Sequence, residues 1–185
     1  MKNFELLVAG LDVKPMLDVL EQNPELWKEN TIRQEYPGSC HGETENIFLR
    51  GPKTLTHQDY FFDLGAFDYP AMEKFVEPLL VLLRPVFTKL QVSEMGRMIL
   101  VKLNPHGRVG THIDEGMYAD HYSRFHICLQ GEEGSTLTAY NETQHFSPGE
   151  AWWFNHKSVH YATNDSDLPR IHIIFDAVTP LYPMP

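Results

Sequence analysis

Three residues invite a chemical reading first. His112 and Asp114 stand two apart in "GTHIDEG", and His160 follows the apolar run "GEAWWFN". Residues two apart on a strand leave the same face, so an imidazole and a carboxylate at that spacing can grip one ion. Two imidazoles and one carboxylate on one face of an octahedron leave three positions open, as in non-haem Fe(II) oxygenases; a bidentate 2-oxo acid fills two and O₂ the third. The spacing alone is weak evidence. Ten histidines and 25 acidic residues in a chain of 185 give roughly 1.4 His-x-acid matches by chance. The chain has three, at His41–Glu43, His57–Asp59 and His112–Asp114, and an isolated pair equally suits a solvated polar loop. Only His112 and Asp114 close a strand-like segment in the β-rich half.

A second polar set repeats on two apolar segments. In "SRFHICLQ" Arg124 and His126 share one face while Phe125, Ile127 and Leu129 share the other, and in "RIHIIFD" Arg170 and His172 oppose Ile171, Ile173 and Phe175. If the apolar faces pack on helices or a second sheet, both arginines point into a barrel. A buried guanidinium there needs an anion to offset several kcal/mol of desolvation, and a dicarboxylate ligand supplies one. Turned the other way, the same pattern describes an amphipathic sheet facing solvent.

The elements that must position these residues follow from periodicity. "PMLDVLEQN" predicts a short helix with Met16, Leu17 and Leu20 on one face. "DYPAMEKFVEPLLVLLRPVFTKL" predicts a longer one burying Met72, Phe75, Val76, Leu79, Leu80, Leu83 and Phe87, kinked or divided at Pro78 and Pro85. A strand is expected near Ile47–Arg50, at the edge of the fold. After Gly96 come short β-branched and aromatic segments separated by turn residues. The expected class is α+β, a single domain over 1–185, with helical support and substrate-capping segments in 1–93 and a β core over 94–178.

Composition narrows the function classes. The formal charge of −10, with no Lys/Arg run, disfavours nucleic acid as a partner. The N-terminal apolar stretch is broken by Glu5, Asp12 and Lys14, which predicts neither a signal peptide nor a membrane span. Cys40 and Cys128 alone give no disulfide framework or thiolate metal site, and a reducing cytoplasm fits. Cys128 reads as a small buried thiol, while His106, His121, His145 and His156 read as surface or capping residues and Asn155 and Asn164 as turn residues. His172 suits either a pocket wall or a hydrogen-bonded core imidazole. Of the adjacent Trp152 and Trp153, one is expected to face inward.

"RMILVKLNPHGRVGTHID", "SRFHICLQG" and "PGEAWWFNHKSVHYATNDSDLPRIHIIFD", covering residues 94–178, resemble the aspartyl/asparaginyl β-hydroxylase family, with looser similarity in "HGETENIFLRGP". The resemblance implies a double-stranded β-helix, a jelly-roll or cupin-like barrel, and the cofactors Fe(II), 2-oxoglutarate and O₂. It implies that C–H hydroxylation yields succinate and CO₂, with His112 and His160 as iron ligands. Arg170, ten residues past His160, would hold the distal carboxylate of 2-oxoglutarate, with Arg124 and His126 beside it. Some family members lack a carboxylate ligand; here Asp114 completes the triad of the wider superfamily. A carboxylate-bearing small molecule, peptide or protein is the expected substrate, contacted by Arg124 and by Arg50 and His41 of a capping stretch that also holds Arg33 and Glu43. A cupin-like dioxygenase or isomerase and a non-catalytic ligand-binding barrel are the alternatives; the sequence does not set the oligomeric state.

Overall fold

Alternation of apolar and polar side chains governs the chain after Gly96, and those segments form strands. A computed structural model describes residues 2–182 except 36, 55, 57, 58, 60 and 61; the His57–Asp59 match therefore lies partly outside the described residues. The elements are β1 (Phe4–Val8), α1 (Lys14–Gln22), a 3₁₀ helix (Pro24–Lys28), α2 (Ile32–Glu35), β2 (Thr44–Gly51), β3 (Phe67–Asp68), α3 (Met72–Leu90), β4 (Glu94–Leu103), β5 (Arg108–His112), α4 (Met117–His121), β6 (Ser123–Gln130), β7 (Ser135–Ala139), β8 (Glu142–Gln144), β9 (Ala151–Phe154), β10 (His160–Asn164) and β11 (Arg170–Val178).

The strands pair in two antiparallel sheets, one ordered β1-β9-β6-β11-β4-β2-β3 and the other β5-β10-β7-β8. This is the double-stranded β-helix. One face of the larger sheet packs on the helices: Phe125, Ile127, Leu129, Ile171, Ile173 and Phe175 join Met16, Leu20, Phe75, Leu79, Leu82 and Val86 in the main core. The opposite face carries Arg124, His126, Arg170 and His172 and looks toward the smaller sheet, where Leu103, Val109, Cys128, Leu137, Phe154 and Ala162 form a second cluster. The barrel reading of the alternating arginines holds, and the solvent-facing one does not.

Two expectations change. Three strands of the larger sheet, β1, β2 and β3, come from before residue 94, so the sheet is not confined to 94–178. Ile47, Phe48 and Leu49 are buried in succession, which needs cover on both faces of β2. Helix α3 runs unbroken through Pro78 and Pro85. Each proline removes one donor, but Pro85 is exposed and Pro78 half-buried, so the affected turns lie toward water. The buried stripe is Phe75, Leu79, Leu82, Leu83, Val86 and Leu90, leaving Val76 and Leu80 exposed. No described helix is long and apolar enough to cross a membrane.

Candidate active site

The ends of β5 and β10 set the centre of the site. His112 and His160 are direct cross-strand partners, and Asp114 lies just beyond β5, its backbone N–H bonded to the His156 carbonyl at 3.3 Å. His112 Nε2 stands 3.9 Å from Asp114 Oδ1, and His160 Nε2 stands 3.9 Å from Oδ2. The three ligand atoms fall within 4.8 Å of one another. Each imidazole has its other nitrogen committed: His112 Nδ1–H donates to the Gly110 carbonyl and His160 Nδ1–H to that of Ser158, both at 2.8 Å. Those carbonyls select the tautomer in which both Nε2 lone pairs face Asp114.

Charge is arranged around that triad in two ways. Arg124 forks onto Asp176, with Nε to Oδ1 at 2.8 Å and Nη2 to Oδ2 at 3.1 Å, and extends Nη1 to Asp114 Oδ2 at 2.5 Å. Burial opposes ionisation of Asp114, but the Arg124 guanidinium outweighs it and holds the carboxyl well below its ordinary value. Arg170 has no such partner. It is buried, its guanidinium bonds to no described residue, and its Nε is enclosed without an acceptor. Burial pulls it down to about 10. His126 Nε2 and His172 Nε2 are likewise buried and unpartnered, while the two rings meet through their Nδ1 atoms at 3.3 Å.

A cavity of about 280 Å³ joins these groups, lined by the triad, Arg170, Arg124 and His126, together with Arg33 and His41. Arg33 Nη2 lies 3.3–3.4 Å from both ring nitrogens of His41, and its Nη1 is buried without a partner. Cys40, His41 and His112 also cluster closely enough to hold an ion, but a guanidinium against His41 repels a cation there.

The sequence reading needs correction at several residues. Arg124, expected to meet cosubstrate or substrate, lines the cavity and is also bonded to Asp114 and Asp176. Arg50 does not line the cavity, and its Nη1 pairs with Asp68 at 2.6 Å. Glu43 accepts the Arg108 backbone N–H outside the cavity. His156 is buried rather than surface, its Nε2 at 3.0 Å from the Ala119 carbonyl, and so helps hold the Asp114 loop. Cys128 is the buried thiol expected, pushed up to about 12 by burial.

Asp176, Tyr118 and Arg97 were not anticipated. Tyr118 O–H donates to Asp176 Oδ2 at 3.1 Å and accepts the Arg97 backbone N–H at 2.7 Å. The Arg97 guanidinium lies 3.5 Å over the Tyr118 ring and donates to the carbonyls of Asp59 and Asp63. Gly96 permits this approach: a Cβ there would stand 2.5 Å from the Tyr118 hydroxyl. Asp176 was readable in principle, because it continues the inward period of Arg170 and His172.

A model of the aspartyl/asparaginyl β-hydroxylase family matches residues 26–180. The chain belongs to that family. The hydroxylase family comprises Fe(II)- and 2-oxoglutarate-dependent oxygenases, and solved structures agree on its fold here. An oxidoreductase of the 2OG-Fe(II) oxygenase family from Burkholderia pseudomallei is 12% identical with a TM-score of 0.53 over 72% of this chain, which spans 65% of that protein's length. The viral collagen prolyl hydroxylase of Paramecium bursaria Chlorella virus-1, solved with 2OG, is also 12% identical with a TM-score of 0.53, over 95% of each chain. No curated protein sequence matches the chain.

The residues present fit the family's cofactors. Two tautomer-fixed imidazoles and an ionised carboxylate form a hard N/O donor set suited to Fe(II), and the unpartnered Arg170 suits a carboxylate in the same cavity.

The buried imidazoles carry a prediction about pH. His41, His126, His156, His160 and His172 all titrate below the ordinary value, chiefly because burial disfavours the cation, and His160 falls to about 4. Below about pH 6.5 the unfolded chain then binds more protons than the folded one, so stability falls with pH, by at most about 1.4 kcal/mol per pH unit for each histidine. The Tm of ligand-free protein should be flat near neutrality and drop steadily from about pH 6.5 to 5. A Tm that held constant across that window would contradict neutral histidines in the fold.

Proposed function

We propose that the protein is a hydroxylase that oxidises an unactivated C–H bond of a carboxylate-bearing substrate, an amino-acid side chain carried by a free amino acid, a peptide or a protein. The balanced reaction consumes substrate, O₂ and 2-oxoglutarate and yields hydroxylated substrate, succinate and CO₂. The observation that carries this reading is the buried, unpartnered guanidinium of Arg170 in the same cavity as the triad.

His112, Asp114 and His160 would hold Fe(II), which together with 2-oxoglutarate would activate O₂, the oxidant of the reaction. Arg170 would pair with the distal carboxylate of the cosubstrate. His126 Nε2 is the adjacent polar atom able to complete that contact, with His172 fixing its ring through Nδ1. Val101, Val109, Leu137, Phe154, Ala162 and Ile174 wall the cavity, and an apolar wall excludes stray water from the reacting carbon.

The substrate's carboxylate falls to Arg33. Arg33, Arg97, Arg124 and Arg170 line the cavity against Asp114 and Glu115, and a metal dication and a 2-oxoglutarate dianion cancel, leaving the lining cationic. Arg33 Nη1 is a buried guanidinium atom with no partner among the described residues, and a carboxylate there would also meet His41, which Arg33 contacts.

Succinate formation measured across free amino acids and acidic peptides tests this reading. Turnover should need a carboxylate on the substrate. Arg33→Met should raise the substrate KM about tenfold or more while leaving that of 2-oxoglutarate nearly unchanged. Equal damage to both constants would show that Arg33 supports the cavity rather than reads the substrate.

A further inference from the structure

Asp176 is a buried charged residue, linked to Asp114 through Arg124, that the proposed chemistry does not use. It is 4% exposed, lies outside the cavity lining, and is built into the end of β11 directly across from Arg124 on β6. A carboxylate buried that deeply costs several kcal/mol unless its bonds are met. They are met fully: Arg124 takes both oxygens and Tyr118 adds a third donor.

We infer that Asp176 is a positioning residue for the metal centre, holding Arg124 so that the guanidinium caps one oxygen of Asp114 and leaves a net negative charge for a divalent cation. The inference rests on the iron reading above. Two consequences of the geometry support it. Arg124 presents three of its nitrogens to two carboxylates, and the fork on Asp176 fixes the direction in which Nη1 reaches Asp114; a guanidinium is planar and rigid, so orientation at one end is orientation at the other. The charges also matter in sum. Asp114, Arg124 and Asp176 together carry −1. Without Asp176 the remaining pair is neutral, and the whole positive charge of Arg124 competes with a metal ion for Asp114.

The neighbouring described cations are themselves engaged. Lys157 Nζ bonds the Asp114 main-chain carbonyl at 3.0 Å and is paired with Asp120 at 2.5 Å. Arg97 lies beyond the Tyr118 ring and is engaged with carbonyls. His156, whose ring faces Ala119, is neutral.

The charge argument makes predictions of opposite sign that loss of structural support does not. Co(II) affinity of the full chain, followed by visible absorption and calorimetry, should weaken about tenfold or more in Asp176→Asn. Asp176→Ser, a replacement of different shape, should move the same way. Arg124→Gln should bind Co(II) more tightly than wild type, and the Arg124→Gln/Asp176→Asn double variant, restored to −1, should return to within a few-fold of wild type. An unchanged affinity in both Asp176 variants would overturn the inference, as would comparable weakening in Arg124→Gln and in the double variant. Wild-type protein that bound no Co(II) would remove the iron reading itself, which separates the two failures.

Discussion

Replacing Arg170 by methionine should abolish useful 2-oxoglutarate binding while leaving the ligand-free protein more stable than before. The two effects come from one fact. Arg170 is a buried cation without an acceptor among the described residues, so the apo fold carries its desolvation cost unreturned. Methionine of similar length removes that cost and fills the space, and replacing buried charge by apolar volume is often stabilising by about 1–4 kcal/mol. For a chain of 185 residues each kcal/mol is about 2–4 °C in Tm. The cosubstrate loses a buried countercharge; removing one member of a buried pair costs about 3–5 kcal/mol, which is a loss of about 100-fold or more in affinity. Calorimetric melting of the apoprotein and equilibrium binding of 2-oxoglutarate check both halves. A lower apo Tm with weakened binding would make Arg170 a structural cation and remove the chief support for a dicarboxylate ligand.

His160→Ala should eliminate tight Fe(II) binding and reduce succinate formation to background. His160 is held neutral, about 4 in pKa, with Nδ1–H on the Ser158 carbonyl, so Nε2 presents its lone pair without needing to lose a proton near neutral pH. The ring is buried and packed edge-on to Phe154. Removing one of three protein ligands should weaken the metal by more than the roughly 10–100-fold typical of outer partners. Cys40→Ser is the matched control. Its Sγ belongs to the cluster with His41 and His112, where Arg33 opposes a cation, so metal affinity should stay within about twofold of wild type. Loss of metal in Cys40→Ser but not in His160→Ala would move the metal centre to that cluster.

Much of this site was readable before any coordinates because strand period 2 is a strong constraint. Once Phe125, Ile127 and Leu129 are assigned to a core, Arg124 and His126 must share the other face, and the same step applied to β11 gives Arg170 and His172. The triad was readable through spacing and resemblance together. What alternation cannot supply is register. Arg124 meets Asp176 because β6 and β11 pair at those positions, 52 residues apart in the chain, so alternation places Arg124 on the cavity face but does not reveal its carboxylate partners. Arg50 failed for a related reason: it follows a register shift in β2 and pairs with Asp68 on β3. The stripe of α3 was misjudged by one residue on the wheel, since Val76 and Leu80 satisfy the same spacing as Leu79 and Leu83 and only the packing of the sheet chooses between them. Arg97 and Tyr118 gave no local signal beyond a charge opening an apolar strand and a tyrosine in a polar turn.

The central claim is that iron and 2-oxoglutarate meet between His112, Asp114, His160 and Arg170. Anaerobic titration of 2-oxoglutarate into Fe(II)-loaded protein, followed by the visible metal-to-ligand charge-transfer band, tests it most directly. The account predicts a saturable band in wild type, absent in His112→Ala and requiring about 100-fold more ligand in Arg170→Met. A metal-replete wild-type protein that develops no band would contradict it.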